Sequence, residues 1–152
     1  MQIVRLLLPF VLLIAVSCGS GGPLTPSDTF KIIRKAADSN DRAVILKNLS
    51  AGSIEKINDF IRLTARLSDS QLKALALSEN VPIEKISGMK PAECTALYFS
   101  RNRYGNSLAD IFNEDIVSVD VKGKYAVIKT SGGYELDFVR EGPYWKFDIT
   151  RL

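Results

Sequence analysis

The chain has 152 residues, with 20 Lys and Arg against 17 Asp and Glu, two cysteines and no histidine. The charges are interspersed in sign and no basic run occurs, so the overall balance builds no field for nucleic acid or for an anionic membrane. Without histidine, the commonest general base, the commonest metal ligand and the familiar serine or cysteine triads are all missing.

Arg5 precedes an apolar run from Leu6 to Val16. As a helix that run spans about 16 Å at roughly 1.5 Å per residue. The hydrocarbon core of a bilayer is roughly 30 Å thick, and Pro9 weakens the helix further, so a retained membrane span is not expected. The run ends in Ala15-Val16-Ser17-Cys18. A basic start, a short apolar core, small residues and then cysteine resemble a bacterial lipoprotein signal peptide. The resemblance implies cleavage after Ser17, with Ala15 and Ser17 as the small residues of the site. It also implies lipid on the Cys18 sulfur, and hence a membrane partner. The usual pattern has Leu three residues before the cysteine, where this chain has Ala15. Ala15 and Ser17 also fit an ordinary secretory site, which would release a soluble protein with a free Cys18.

Gly19-Ser20-Gly21-Gly22-Pro23-Leu24-Thr25-Pro26 cannot pack a core but can hold a domain off a surface, which favours lipidation. Two or more acyl chains anchor stably where one does not. Gly19, rather than the aspartate linked to inner-membrane retention in Gram-negative lipoproteins, points to the outer membrane. The expected organisation is a signal peptide over 1–17, a lipid-anchored tether over 18–26 and one domain over 27–152. Removing residues 1–17 leaves 135 residues, enough for a single core.

The pattern predicts helices through the first part of that domain. Thr25-Pro26-Ser27-Asp28 is a helix start, followed by Phe30, Ile33 and Ala37 at helical spacing. Ser39-Asn40-Asp41 breaks the pattern, and a second helix is expected from Ala43 to Leu49. Ser53 is read as the cap of a third helix with Ile54, Ile57, Ile61 and Ala65 on one face. A fourth is expected over Ser70–Glu79, a loop over Asn80–Pro91, and a fifth helix from Ala92 to about Asn102, ended by Gly105. From Ile116 the period changes to two. Four strands joined by turns at Lys122-Gly123, Ser131-Gly132-Gly133 and Glu141-Gly142-Pro143 predict an antiparallel meander. Val117, Val119, Leu136, Phe138, Trp145, Phe147 and Ile149 are expected to face the helices, and Glu135, Asp137, Lys146 and Asp148 to face away. The fold class is α+β, with N-terminal helices packed on a C-terminal four-stranded antiparallel meander.

Thr25-Pro26-Ser27-Asp28-Thr29-Phe30, Lys47-Asn48-Leu49-Ser50 and Gly142-Pro143-Tyr144-Trp145-Lys146-Phe147-Asp148 resemble the NTF2-like (cystatin-like α+β) superfamily, in particular its small secreted lipoproteins of unassigned function. The resemblance implies a cone-shaped sheet wrapped round a helix, often with a pocket. The helical stretch from Ser53 to Asn102 is longer than that family's usual three helices allow.

Arg101, Arg103 and Tyr104, beside Tyr98, form a candidate ligand-binding cluster for an anion. The plainer alternative is a solvated helix end whose cations offset the dipole. Asp110, Glu114 and Asp115 bunch before the first strand, but adjacent Glu114 and Asp115 would point to opposite faces. Tyr125, Tyr134 and Tyr144 line either a cavity mouth or an interaction surface, or are simply good strand residues. Cys94, in a helical stretch, reads as a small buried hydrophobe. No cofactor or metal site and no catalytic set is expected, since no phosphate loop, zinc spacing or calcium loop is present. The expected function is that of a membrane-anchored, non-catalytic envelope lipoprotein that binds a small molecule, a protein partner or a second copy. The alternatives are an NTF2-like enzyme using Asp110 or Glu114 as base, and a purely structural interaction domain.

Overall fold

The computed structural model describes residues 22–100 and 106–152. Among these residues six α-helices precede four strands: α1 (Pro26–Asp38), α2 (Arg42–Lys47), α3 (Ala51–Thr64), α4 (Asp69–Ser78), α5 (Pro91–Ser100), α6 (Leu108–Phe112), then β1 (Ile116–Lys122), β2 (Tyr125–Thr130), β3 (Glu135–Glu141) and β4 (Tyr144–Phe147). The strands form one antiparallel sheet in the order β1-β2-β3-β4, which makes the fold α+β with a terminal meander.

Local chemistry sets the helix starts. Thr25 caps α1 by accepting from the Asp28 N–H, with Pro26 at the first helical position where a missing N–H costs nothing. Asn40 takes a positive φ of 53°, the left-handed turn that separates α1 from α2. The cap of α3 is Ser50 rather than Ser53, because Ser50 has the extended backbone a cap needs and accepts from the Ser53 N–H. Ser68 opens α4 in a capping box with Gln71. The passage between α4 and α5 carries a 3₁₀ turn (Ile83–Lys85) and buries Ile86 and Met89, so it packs on the core instead of looping away. α6 was not foreseen, although Ser107 and Asp110 form a reciprocal capping box before Leu108, Ile111 and Phe112. Asn102 and Gly105, expected to end α5, lie outside the described residues.

Phe112 is the hub of the core. Its ring lies 4.9 Å from Phe30 of α1, 5.7 Å from Phe99 of α5 in a stacked arrangement, and 5.0 Å from Phe147 of β4 edge-on. Phe138 of β3 closes the cluster against Phe147 at 5.5 Å. The helix-facing side of the sheet is thus filled by aromatic side chains from α1, α5 and α6. Truncating any one such ring costs about 3–5 kcal/mol.

The register shows which strand residues share that face. Ala126 and Ile128 of β2 oppose Phe138 and Leu136 of β3, and Phe138 opposes Phe147; all are buried. Val119 opposes Ile128 and Val121 opposes Ala126, so both valines are on the same face. They are nevertheless exposed, Val119 at 38%, and Val117 at 65% sits at a bulge. Val119 therefore lies on the helix-facing side but is left uncovered, and the expectation for Val117 is corrected, because the bulge takes it out of the alternation. α1 lies chiefly over β4 and reaches β1 only lightly, leaving the far half of β1 without a helix above it.

The two edges of the sheet differ. On β4, the Phe147 N–H donates to the Asn48 carbonyl (2.9 Å), the Ser50 N–H to the Phe147 carbonyl (2.8 Å) and the Trp145 N–H to the Pro23 carbonyl (3.0 Å). Pro23 is buried, so the residues just before α1 are held against the β4 edge. Among the described residues no element pairs with the outer edge of β1.

Candidate functional site

Of the cluster singled out for anion binding, only Tyr98 is described. It lies on α5 and is buried, with its ring edge-on to Phe60 at 6.4 Å, so the ring belongs to the core packing between α3 and α5. Arg101, Arg103 and Tyr104 lie outside the described residues, as do Ala15, Ser17 and Cys18.

The three carboxylates before β1 do not converge. Asp110 accepts from the Ser107 N–H (3.0 Å) and hydroxyl (2.6 Å), bonds that hold its carboxyl below its ordinary value. Glu114 accepts from the Thr130 hydroxyl (2.5 Å) and the Gly132 N–H (2.7 Å), clasping the β2–β3 turn. Arg34 of α1 braces the same corner by donating from Nε to the Phe112 carbonyl (2.5 Å) and from its terminal nitrogen to the Glu114 carbonyl. Asp115 is exposed and contributes its carbonyl to the Ser131 N–H (2.9 Å). Each acid read as a candidate base has a structural role, Asp110 in opening α6 and Glu114 in shaping the β2–β3 turn.

Asp148 was expected to point away from the helices. It is half-buried instead, with its Oδ1 accepting from Ser50 (3.0 Å), Ser53 (3.1 Å) and the Thr150 N–H (3.1 Å). The Ser53 hydroxyl also accepts from the Ile149 N–H at 2.8 Å. A serine beside a carboxylate has the look of a nucleophile, but this hydroxyl is buried and occupied in tying α3 to the chain after β4. Lys56 completes the tie by donating to the carbonyls of Ile149, Thr150 and Leu152. Cys94 is buried, and desolvation pushes its thiol up to about 12, far from the thiolate a nucleophile needs.

The three tyrosines do not share a cavity. Tyr125 is exposed near the β1–β2 turn. Tyr144 packs on Gly22, and the Tyr134 hydroxyl accepts from Asn106 (3.2 Å) at the opposite end of the sheet. Tyr134 borders a cleft of about 320 Å³ with Leu108, Ile111, Leu136 and Leu152.

A cleft of about 440 Å³ lies between the α1–α2 turn, the 3₁₀ turn and α5. Asn40, Arg42, Met89, Glu93, Leu97 and Ser100 line it, and it continues into a smaller recess bounded by Ala37, Ile45 and Phe99. The positive φ of Asn40 aims the turn at the cleft, and the Arg42 Nε donates to the Asn40 side chain at 3.3 Å. Arg42, Lys85, Glu84 and Glu93 give the lining charges of both signs, beside the apolar Val81, Met89, Ala96 and Leu97. Such a surface suits an amphipathic ligand or a short peptide segment. Sequence reasoning missed it because it is assembled from three segments distant in the chain; the one local signal was the turn at Ser39-Asn40-Asp41. Among the described residues no group of three or more Cys, Asp or Glu side chains is placed to hold a metal, and no helix is long and apolar enough to cross a membrane.

No family model, curated protein or solved structure matches this chain.

Proposed function

We propose that the mature chain is a lipid-anchored lipoprotein of the bacterial envelope whose NTF2-like domain binds a small ligand or protein partner and performs no chemistry of its own. One observation carries this reading. An apolar run too short to span is followed by Ala15, Ser17 and Cys18, and the cysteine lies only eight positions before the start of α1 at Pro26. A cysteine placed there suits a membrane anchor for the domain behind it. Gly19 after the cysteine favours the outer membrane.

Helices over one face of an antiparallel meander support the NTF2-like part of the reading. The mixed-charge cleft supports binding, and the structural occupation of Asp110 and Glu114 supports the absence of catalysis.

Two measurements test it. Fractionation of cells should place wild type with the membranes and a Cys18→Ser variant in the soluble envelope fraction; equal partitioning contradicts the anchor. A photo-crosslinking residue at Leu97, on the cleft wall, should give one saturable adduct that Arg42→Glu removes. No adduct from membrane-bound protein contradicts the binding role.

A further inference from the structure

The domain presents one particular end toward the anchored residue. Gly22 packs against the Tyr144 ring and Pro23 bonds to Trp145, so the chain runs alongside β4 in the same direction. It therefore enters the fold from the end of the sheet that holds the β3–β4 turn. The β1–β2 turn lies at the same end, because the Arg140 N–H donates to the Lys124 carbonyl at 2.7 Å. Pro23, Trp145, Arg140 and Lys124 thus form one row across the sheet. From Gly22 to Cys18 is four residues, which reach at most about 14 Å when fully extended. The sheet end is held close to whatever holds Cys18.

The composition of this end is unusual for a surface facing only water. Leu24 is 66% exposed, Val121 50% and Tyr125 55%, with Val119 behind them on β1. Leu24 follows Pro23 at the β4 edge, Lys122 and Lys124 flank the β1–β2 turn between Val121 and Tyr125, Arg140 lies between these two margins on β3, and the Lys124 ammonium sits 5.2 Å from the Tyr125 ring centroid. Two acids share the area. Asp120 is paired with Lys122 at 3.2 Å, and Glu141 is turned to the α3 start, where it accepts from the Ala51 N–H at 2.7 Å. Positive charge is left in excess. Exposed apolar groups with a tyrosine and cations at their margin match the interfacial zone of a membrane, where tyrosine rings and lysine stems bridge hydrocarbon and water.

We propose that this end of the sheet, formed by Leu24, Val121, Lys122, Lys124, Tyr125 and Arg140, is a second membrane contact that lays the domain on an anionic phospholipid surface. The proposal rests on the lipid anchor at Cys18, which makes the encounter intramolecular and lets a weak patch hold. A bilayer is favoured over a second copy as the occupant. The β1 edge carries a bulge at Val117 and the charges of Asp120 and Lys122, devices that oppose strand addition. A lipid surface needs no backbone pairing and accepts side chains from both faces of the turn. The contact would fix the domain's orientation, because the β2–β3 turn lies a strand length away, about 20 Å at roughly 3.3 Å per residue.

The test uses the mature lipoprotein purified from membranes and reconstituted in vesicles of phosphatidylethanolamine and phosphatidylglycerol. Val121→Cys and Ser131→Cys are each labelled with an environment-sensitive fluorophore; Cys94 is buried and Cys18 acylated, so neither competes. The label at 121 should shift to the blue and be quenched by lipid-borne quenchers, while the label at 131 should not. Lys124→Glu with Arg140→Glu should abolish the difference. In unlipidated Cys18→Ser protein, cosedimentation with the same vesicles should be weak and salt-sensitive, falling about fivefold for each cation removed. Equal quenching at 121 and 131 in membrane-bound protein overturns the contact and leaves the anchor standing. A shift at 121 that depends on protein concentration and not on vesicles also overturns it, in favour of pairing between copies. Failure of wild-type protein to remain with membranes at all counts against the anchor.

Discussion

Glu114 decides between a catalytic and a structural reading of the acids before β1, and its removal has a calculable effect. Its carboxylate takes two hydrogen bonds, from the buried Thr130 hydroxyl and from the Gly132 N–H. Hydrogen bonds to a charged group are worth about 1.5–3 kcal/mol each. The Gly132 bond is exposed to solvent and contributes at the low end. Glu114→Ala should therefore cost about 2–4 kcal/mol, the larger part from leaving the Thr130 hydroxyl unpaired. Gly132 gives an independent route to the same clasp. A Cβ there would overlap the Glu114 carboxylate, although the Gly132 backbone itself is not in the left-handed region. Gly132→Ala should thus be about as costly as Glu114→Ala in the wild-type background and nearly neutral once Glu114 is gone. Urea titration is the assay. With a slope of about 1–3 kcal/mol per molar, a loss of that size moves the midpoint by about a molar or more. Additive costs for the two substitutions, or an unchanged midpoint for Glu114→Ala, would refute the clasp.

Three further outcomes follow from the same bookkeeping of partners. Ser53→Ala strands the buried Ile149 N–H and should destabilise by about 1–3 kcal/mol, with amide exchange accelerated across residues 148–152; unchanged exchange there would contradict the tie. Cys94 should be silent to a thiol reagent in the folded Cys18→Ser protein and react once on unfolding, since burial pushes its thiol up to about 12; rapid native reaction contradicts its place in the core. Asp137 is half-buried, and desolvation raises its carboxyl above the ordinary value despite Arg151 at 3.0 Å. A raised folded value means that its favourable contribution is present below the unfolded value, about 3.9, and is lost as pH rises through the folded one. Asp137→Asn should accordingly equal or exceed wild type in stability at pH 7 and lose that advantage as the pH falls through the carboxylate range, as followed by thermal melts.

Much of the fold was legible because the signals were local. Thr25-Pro26 marked the start of α1, and the glycine-bearing turns after Lys122, Thr130 and Glu141 marked the meander to within a residue or two. Boundaries slipped where two hydroxyls competed for one cap, as with Ser50 and Ser53. α6 went unread because five residues are too few to show a period, although its Ser107–Asp110 capping pair was present in the sequence. Alternation correctly placed Leu136, Phe138, Trp145, Phe147 and Ile149 in the core. It failed at Val117 because a bulge interrupts the alternation there, and at Val119 because a period of two assigns a face but cannot say whether a helix covers it. The candidate sites were less legible for a related reason. Asp110, Glu114 and Asp148 look available in a sequence, and only the fold shows which backbone N–H or hydroxyl each one holds. The Arg42 cleft depends on juxtaposing segments up to sixty residues apart, and no spacing rule reaches that far.

The measurement that bears most directly on the whole picture is the intact mass of the polypeptide recovered from the membrane fraction of cells. Residues 18–152 carrying a diacylglyceryl group on the Cys18 sulfur and a fatty acyl group on its amine is the expected species. A mass equal to 18–152 alone, with a titratable thiol at its first residue, or a chain retaining residues 1–17, would contradict both the anchor and the orientation that depends on it.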